Sequence, residues 1–153
     1  CLDVLDGPEG ADPAIRPNQL LAVSLSNSAL TVEQQRSLVA VCRRDLLVGK
    51  GLRSLSPEDP AYIGSYGGDQ RQRDAAYHQG TVWSWLIGPY VSAYRKIHGR
   101  NADSLAHKLR RLALHNLRDQ PAGDYALSMR AGPLASAMVA AEKLFYGRPD
   151  RRE

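Results

Sequence analysis

A chain of 153 residues with 43% apolar content has the size and the apolar material of one folded domain, which excludes global disorder. No window approaches 18 consecutive apolar residues, so a transmembrane helix is excluded, and two cysteines without CxxC spacing argue against a zinc site or disulfide framework and for a reducing, cytoplasmic setting. The net charge of +4 comes from scattered Lys and Arg, and the densest cluster, Arg148 to Arg152, contains Asp150 and precedes Glu153, so residues 148–153 read as a solvated polar tail and not as a nucleic-acid face.

The chain opens on Cys1, and Leu2-Asp3-Val4 shows no basic segment followed by an apolar run. No signal peptide is read, and the chain is expected to begin inside a longer protein. Asp12-Pro13 marks a turn, after which Pro17 to Leu25 reads as a short apolar helix with proline at its first position. Thr31 opens a second helix, with Gln34 three residues on as a capping box and Val32, Val39, Cys42 and Leu46 as an apolar stripe; Gly49 and Gly51 close it.

From Val48 to Gly80 the composition turns to Gly, Pro, Ser, Asp and Arg without periodicity. A connection that long is uncommon in a compact domain unless functional or disordered, and Tyr62, Ile63, Tyr66 and Tyr77 supply packing anchors, so residues 48–80 are expected to be one long ordered, substrate-facing loop. A third helix is predicted over Thr81 to His98, ending at Gly99, with a kink at Gly88-Pro89. Asp103 or Ser104 caps a fourth, with Leu105, Leu109 and Leu112 at helical spacing. The fifth runs from about Pro133 to Gly147, with Leu134, Ala137, Met138, Ala141 and Leu144 on one face. No strand pattern rises above background. The expected fold class is therefore all-α: antiparallel helical hairpins with one long ordered loop, forming a small bundle or a slice of a larger helical array.

The segment "AAYHQGTVWSW", residues 75–85, concentrates aromatic and polar side chains where Gly80 permits crowding at a predicted helix N-terminus, a position suited to binding hydroxyls or anions. Two residues apart on the predicted helix, Trp83 and Trp85 diverge, so at most one of them shares a pocket with His78 while the other packs between helices. Aromatic faces beside amides, carboxylates and histidine suit a sugar; the alternative is that both tryptophans are core and His78 merely hydrogen-bonded. Metal ligation by His78 is disfavoured, because His98, His107 and His115 lie far along the chain on surface-like helical positions. "GSYGGD" has no preceding strand to make it a phosphate loop, and no G-x-S-x-G occurs.

Three ordered segments, "IRPNQLLAVSL", "GLRSLSPEDPAYIGSYGGD" and "RDAAYHQGTVWSWLIGPY", resemble the C-terminal domain of bacterial-type glycogen debranching enzymes, the amylo-α-1,6-glucosidase module, over residues 15–90. The resemblance implies an (α/α)6 toroid, a six-hairpin glycosidase. Residues 1–153 would be the C-terminal third of one catalytic domain, with the remainder of the barrel upstream of Cys1. It also implies inverting hydrolysis of α-1,6-glucosidic branches in glycogen or limit dextrin, in which one carboxylic acid protonates the leaving oxygen and a carboxylate roughly 6.5–9.5 Å away activates water. No cofactor and no metal are implied; the partner is a branched α-glucan, with neither nucleic acid nor membrane involved.

Carried over by matching motif, the sugar site would comprise Arg16, Asn18 and Gln19 of the RPNQ segment, Arg53 of GLR, and Tyr66 of the glycine-rich loop. Arg73, Asp74, Tyr77, His78, Gln79 and Trp83 of the RD-YHQG-W segment complete it. The general acid is expected upstream. Eukaryotic relatives have a glutamate where Val82 stands, whereas bacterial ones carry an S-E-I-F-D-G-like stretch whose counterpart here is "LRDQPAGD", making Asp119 the base and Asp124 its fallback. Ser84, between the tryptophans, and Met138 also depart from the family pattern. The rivals are a glucoamylase- or trehalase-like six-hairpin glycosidase, a non-catalytic sugar-binding relative, and a helical interaction module.

Overall fold

The computed structural model describes residues 1–49 and 51–118 of the chain. The predicted fifth helix, the tail 148–153, Met138, Asp119 and Asp124 lie outside the described residues. In chain order the elements are β1 (Val4–Gly7), β2 (Gly10–Asp12), α1 (Gln19–Ser24), α2 (Val32–Asp45), β3 (Leu47–Val48), β4 (Gly51–Arg53), α3 (Gln70–Ala76), β5 (Val82–Trp83), α4 (Ile87–His98) and α5 (Asp103–Arg118). Short 3-10 turns over Ser84–Leu86 and Gly99–Ala102 precede α4 and α5.

The fold is thus mixed α/β and not a piece of an all-α toroid. Two small antiparallel sheets overturn that expectation: a β1–β2 hairpin, and a three-stranded sheet ordered β3-β4-β5 in which Leu47 faces Leu52 and Leu52 faces Trp83. Strands of two to four residues are too short to display the alternation by which a strand is recognised in sequence. Leu46 caps α2, and the chain turns at once into β3 and back through β4, so the glycines expected to close a helix belong to a hairpin. Gly51 is required there by contact: a Cβ on it would lie 2.5 Å from the Trp83 carbonyl oxygen.

The helices follow local signals more closely. Thr31 and Gln34 form the reciprocal capping box at the start of α2, the Thr31 hydroxyl accepting from the Gln34 N–H at 3.2 Å and the Gln34 side chain accepting from the Thr31 N–H at 2.9 Å. Gly99, at φ +57°, caps α4. That helix begins at Ile87 and not at Thr81, because Pro89 falls in its first turn, where a missing N–H costs nothing. What reads as a kink is a helix start. Within 48–80, where one long ordered loop is expected, the chain forms β4 and α3, the latter with its own Asp69–Gln72 capping box.

The core forms where α4 packs against α1, α2 and α5. Leu20 and Val23 of α1, Val39 and Cys42 of α2, Leu52 of β4 and Tyr90 and Ala93 of α4 meet there with almost no exposure. Lys96 ties α4 to the end of α1, its Nζ donating to the carbonyls of Val23 (3.0 Å) and Leu25 (2.8 Å). Burial pushes the Cys42 thiol from 9.0 up to about 12, with the Asp45 carboxylate adding to the effect. Tyr90 rises from 10.0 to about 12, again chiefly by burial and against a smaller opposing pull from Arg43. Both groups therefore hold their protons more tightly folded than unfolded. Their contribution to stability is complete below pH 9 and is lost as pH climbs from 9 towards 12, at up to about 1.4 kcal/mol per pH unit for each proton. Urea titrations at stepped pH should show this fall, and Cys42→Ala should flatten its onset; an equally steep onset in that variant would dismiss the thiol as its source.

Candidate functional site

A cavity of about 600 Å3 opens between the β1–β2 hairpin, the approach to α1, the end of β4 and the chain from Tyr77 to Leu86. One wall starts at the hairpin, where the Asp3 N–H donates to the Asp12 carbonyl at 2.8 Å and sets both aspartates on the cavity lining. Asp12 also accepts the Ala14 N–H on Oδ1 at 2.8 Å, which turns the chain towards Arg16, Pro17 and Asn18. A second stretch of wall comprises Tyr77, His78, Trp83 and Trp85, with Ser54 and Leu86 also on the lining.

Arg16 binds the walls together. Its Nε pairs with Asp3 Oδ2 at 3.2 Å, Nη1 donates to the carbonyls of Ser54 (3.3 Å) and His78 (2.6 Å), and Nη2 donates to Gln79 Oε1 at 2.9 Å. Asn18 Nδ2 donates to the other Asp3 oxygen at 3.2 Å. Gly80 closes the loop behind His78 at φ +130°, its N–H given to Ser54 Oγ at 2.9 Å. No helix starts there: β5 follows, and the amide expected to greet a ligand is used internally.

Trp83 and Trp85 both line the cavity, contrary to the expectation that only one could. The reason is the backbone: residues 82–83 are extended and 84–86 form a 3-10 turn, so the divergence of i and i+2 on an α-helix does not apply. Their roles differ. Trp83 is only 7% exposed, its ring 4.7 Å from Tyr77 and its Nε1 donating to the Tyr77 carbonyl at 3.3 Å, whereas Trp85 is 37% exposed and presents open aromatic surface. His78 is exposed, with its ring edge-on to Tyr77 at 4.7 Å.

Of the residues expected at a sugar site, Arg16, Asn18, Tyr77, His78 and Trp83 line this cavity, and Gln79 supports it through Arg16. Gln19 is buried, its amide 3.5 Å from the Ala14 carbonyl, and lines a different, more apolar depression with Leu30 and Leu38. Arg53 lies on β4, donating weakly to the Asp45 carbonyl at 3.5 Å. Arg73 donates to the Gly68 carbonyl, Asp74 is exposed on α3, and Tyr66 is half-buried; none of the three lines the cavity. Sequence reasoning missed Trp85, Asp3 and Asp12. The aromatic content of residues 83–85 pointed to the first; nothing local marks the other two. No group of three or more His, Cys, Asp or Glu suited to a metal ion occurs among the described residues.

The family model described as Amylo-alpha-1,6-glucosidase matches residues 1–125, a span that includes every residue of the cavity. The chain belongs to the amylo-alpha-1,6-glucosidase family. It is 28% identical over 93 residues to the glycogen debranching enzyme of Saccharomyces cerevisiae, an alignment covering 57% of this chain and 6% of that protein. The chain thus corresponds to a small fraction of that relative's length. No solved structure matches it. Membership relates the chain to glycoside hydrolases of glycogen metabolism, and no helix among the described residues is long and apolar enough to cross a membrane.

Proposed function

We propose that this chain supplies a sugar-binding wall to a glycosidase that hydrolyses α-1,6-glucosidic branches of glycogen or limit dextrin. The observation that carries the reading is the cavity itself: exposed Trp85 aromatic surface shares one lining with the polar groups of Asp3, Asn18 and His78, all within the family match. A pyranose offers C–H faces to an aromatic ring and hydroxyls at its rim, so it satisfies both walls at once. Inverting hydrolysis would further need a protonated carboxylic acid at the leaving oxygen and a carboxylate that takes a proton from water. Asp119, with Asp124 as fallback, remains the proposed base, and both lie outside the described residues.

The test is glucose release from a phosphorylase limit dextrin by the intact protein that carries this chain, with unbranched maltooligosaccharides as comparison. We expect free glucose from the branched substrate and little from the linear one. The anomer released should be β, as inversion of an α-linkage requires. Tight dextrin binding without glucose release would replace the hydrolase reading by a sugar-binding one.

A further inference from the structure

We propose that Asp3 is a substrate-binding carboxylate of this cavity, accepting hydrogen bonds from the hydroxyls of a neutral sugar seated against Trp85, with Arg16 and Asn18 fixing its orientation. The inference rests on the sugar reading above. Asp3 lines the cavity, and its side chain is 10% exposed, so it is neither sealed in the core nor free in solvent. Each of its oxygens has one protein partner: Asn18 Nδ2 donates to Oδ1 and Arg16 Nε forms an ion pair with Oδ2, both at 3.2 Å. An ionised carboxylate has about four lone-pair sites and accepts only, so these two partners leave capacity for two donors more. Hydroxyls are donors of that kind, and a bond from O–H to a carboxylate is about twice as strong as one between neutral groups.

The surrounding charges narrow the ligand. Arg16 is the cavity's guanidinium, and its Nε, Nη1 and Nη2 are all engaged by Asp3, Ser54, His78 and Gln79, so no free fork faces the cavity to receive a phosphate. Two carboxylates on the lining, Asp3 and Asp12, would repel one. The arrangement therefore favours an uncharged polyol over a sugar phosphate. Asp12 differs from Asp3 in that it accepts a backbone N–H two residues on and shapes its own turn.

The experiment is calorimetric titration of the intact protein, wild type and Asp3→Asn, with isomaltose and its singly deoxygenated analogues. Asp3→Asn preserves shape and should weaken isomaltose binding about 10- to 100-fold. At least one deoxy analogue that binds the wild type more weakly than isomaltose should bind the variant as well as isomaltose does, because the hydroxyl it lacks has lost its acceptor. Should the amide variant fold poorly, Asp3→Glu keeps the charge for Arg16 and reads the same coupling. Unchanged isomaltose affinity, or uniform weakening with discrimination among analogues intact, overturns the assignment while leaving the sugar reading standing. Failure of the wild type to bind isomaltose at all overturns both.

Discussion

Replacing Gly80 with alanine is expected to destabilise the fold by about 2–5 kcal/mol, which is a large part of the stability of a typical domain. Two costs combine. At φ +130° an L-side chain is held in a conformation only glycine adopts readily, a strain of about 1–3 kcal/mol. The added methyl would also stand 2.5 Å from the Tyr62 ring and 2.7 Å from the Ile63 carbonyl oxygen, and the latter is backbone that cannot swing aside. The Ile63 N–H donates to the Gln79 carbonyl at 2.5 Å, so relief of the clash would pull apart the junction that holds His78 on the cavity. Gly67→Ala, in the same stretch with no atom within 4 Å of the new methyl, should change stability by less than about 0.5 kcal/mol. Urea denaturation of the two variants makes the comparison. Equal midpoints would mean that the loop is not built around Gly80.

What the sequence reveals of this molecule divides by the distance over which its causes act. The α2 start is legible because Thr31 and Gln34 cap each other three residues apart, and the α4 end because Gly99 supplies its own positive φ. The same kind of signal, Asp69 with Gln72, announces α3, but it sits in a Gly- and Pro-rich stretch whose composition suggests a bare loop. The strands have no such local cause. β4 exists because Leu52 meets Leu47 on one side and Trp83 on the other, and Gly51 lets the backbone of residues 83 and 84 approach; neither fact is written within a window of a few residues. With β5 missed, Trp83 and Trp85 are assigned to a helix and forced apart on paper.

The cavity divides in the same way. Tyr77, His78 and Trp83 are close in sequence and in space, and their shared location could be expected. Asp3 reaches them only because a hairpin folds back beside the approach to α1, and a run of "CLDVLDG" carries no mark of that. Arg16 illustrates the limit most directly: its motif points to the sugar site and it does line the cavity, but nothing in the motif announces its protein partners, Ser54 at 38 residues' separation and Gln79 at 63. A motif can say that a residue matters without saying to which atoms.

Those long-range bonds make Arg16 the second position at which a single change should have a large effect. Arg16→Met keeps much of the stem but removes every donor, leaving the Asp3 carboxylate, 10% exposed, without its ion-pair partner and the Ser54 and His78 carbonyls without the Nη1 donor. An unsatisfied polar group in such surroundings costs about 1–3 kcal/mol, and relaxation of the exposed His78 segment recovers part of the sum, so the net loss should be about 2–4 kcal/mol. Arg16→Lys should restore less than half of it, because one ammonium on a flexible stem cannot span acceptors that a planar fork meets from three nitrogens. Hydrogen exchange adds a local reading. The Gly80 amide, donated to Ser54 Oγ beside the Arg16 contacts, should exchange faster in both variants, while amides of α2 that are remote from the cavity should change only with global stability. Lysine matching arginine in both midpoint and Gly80 protection would show that charge alone suffices at this position, and that the fork geometry is incidental.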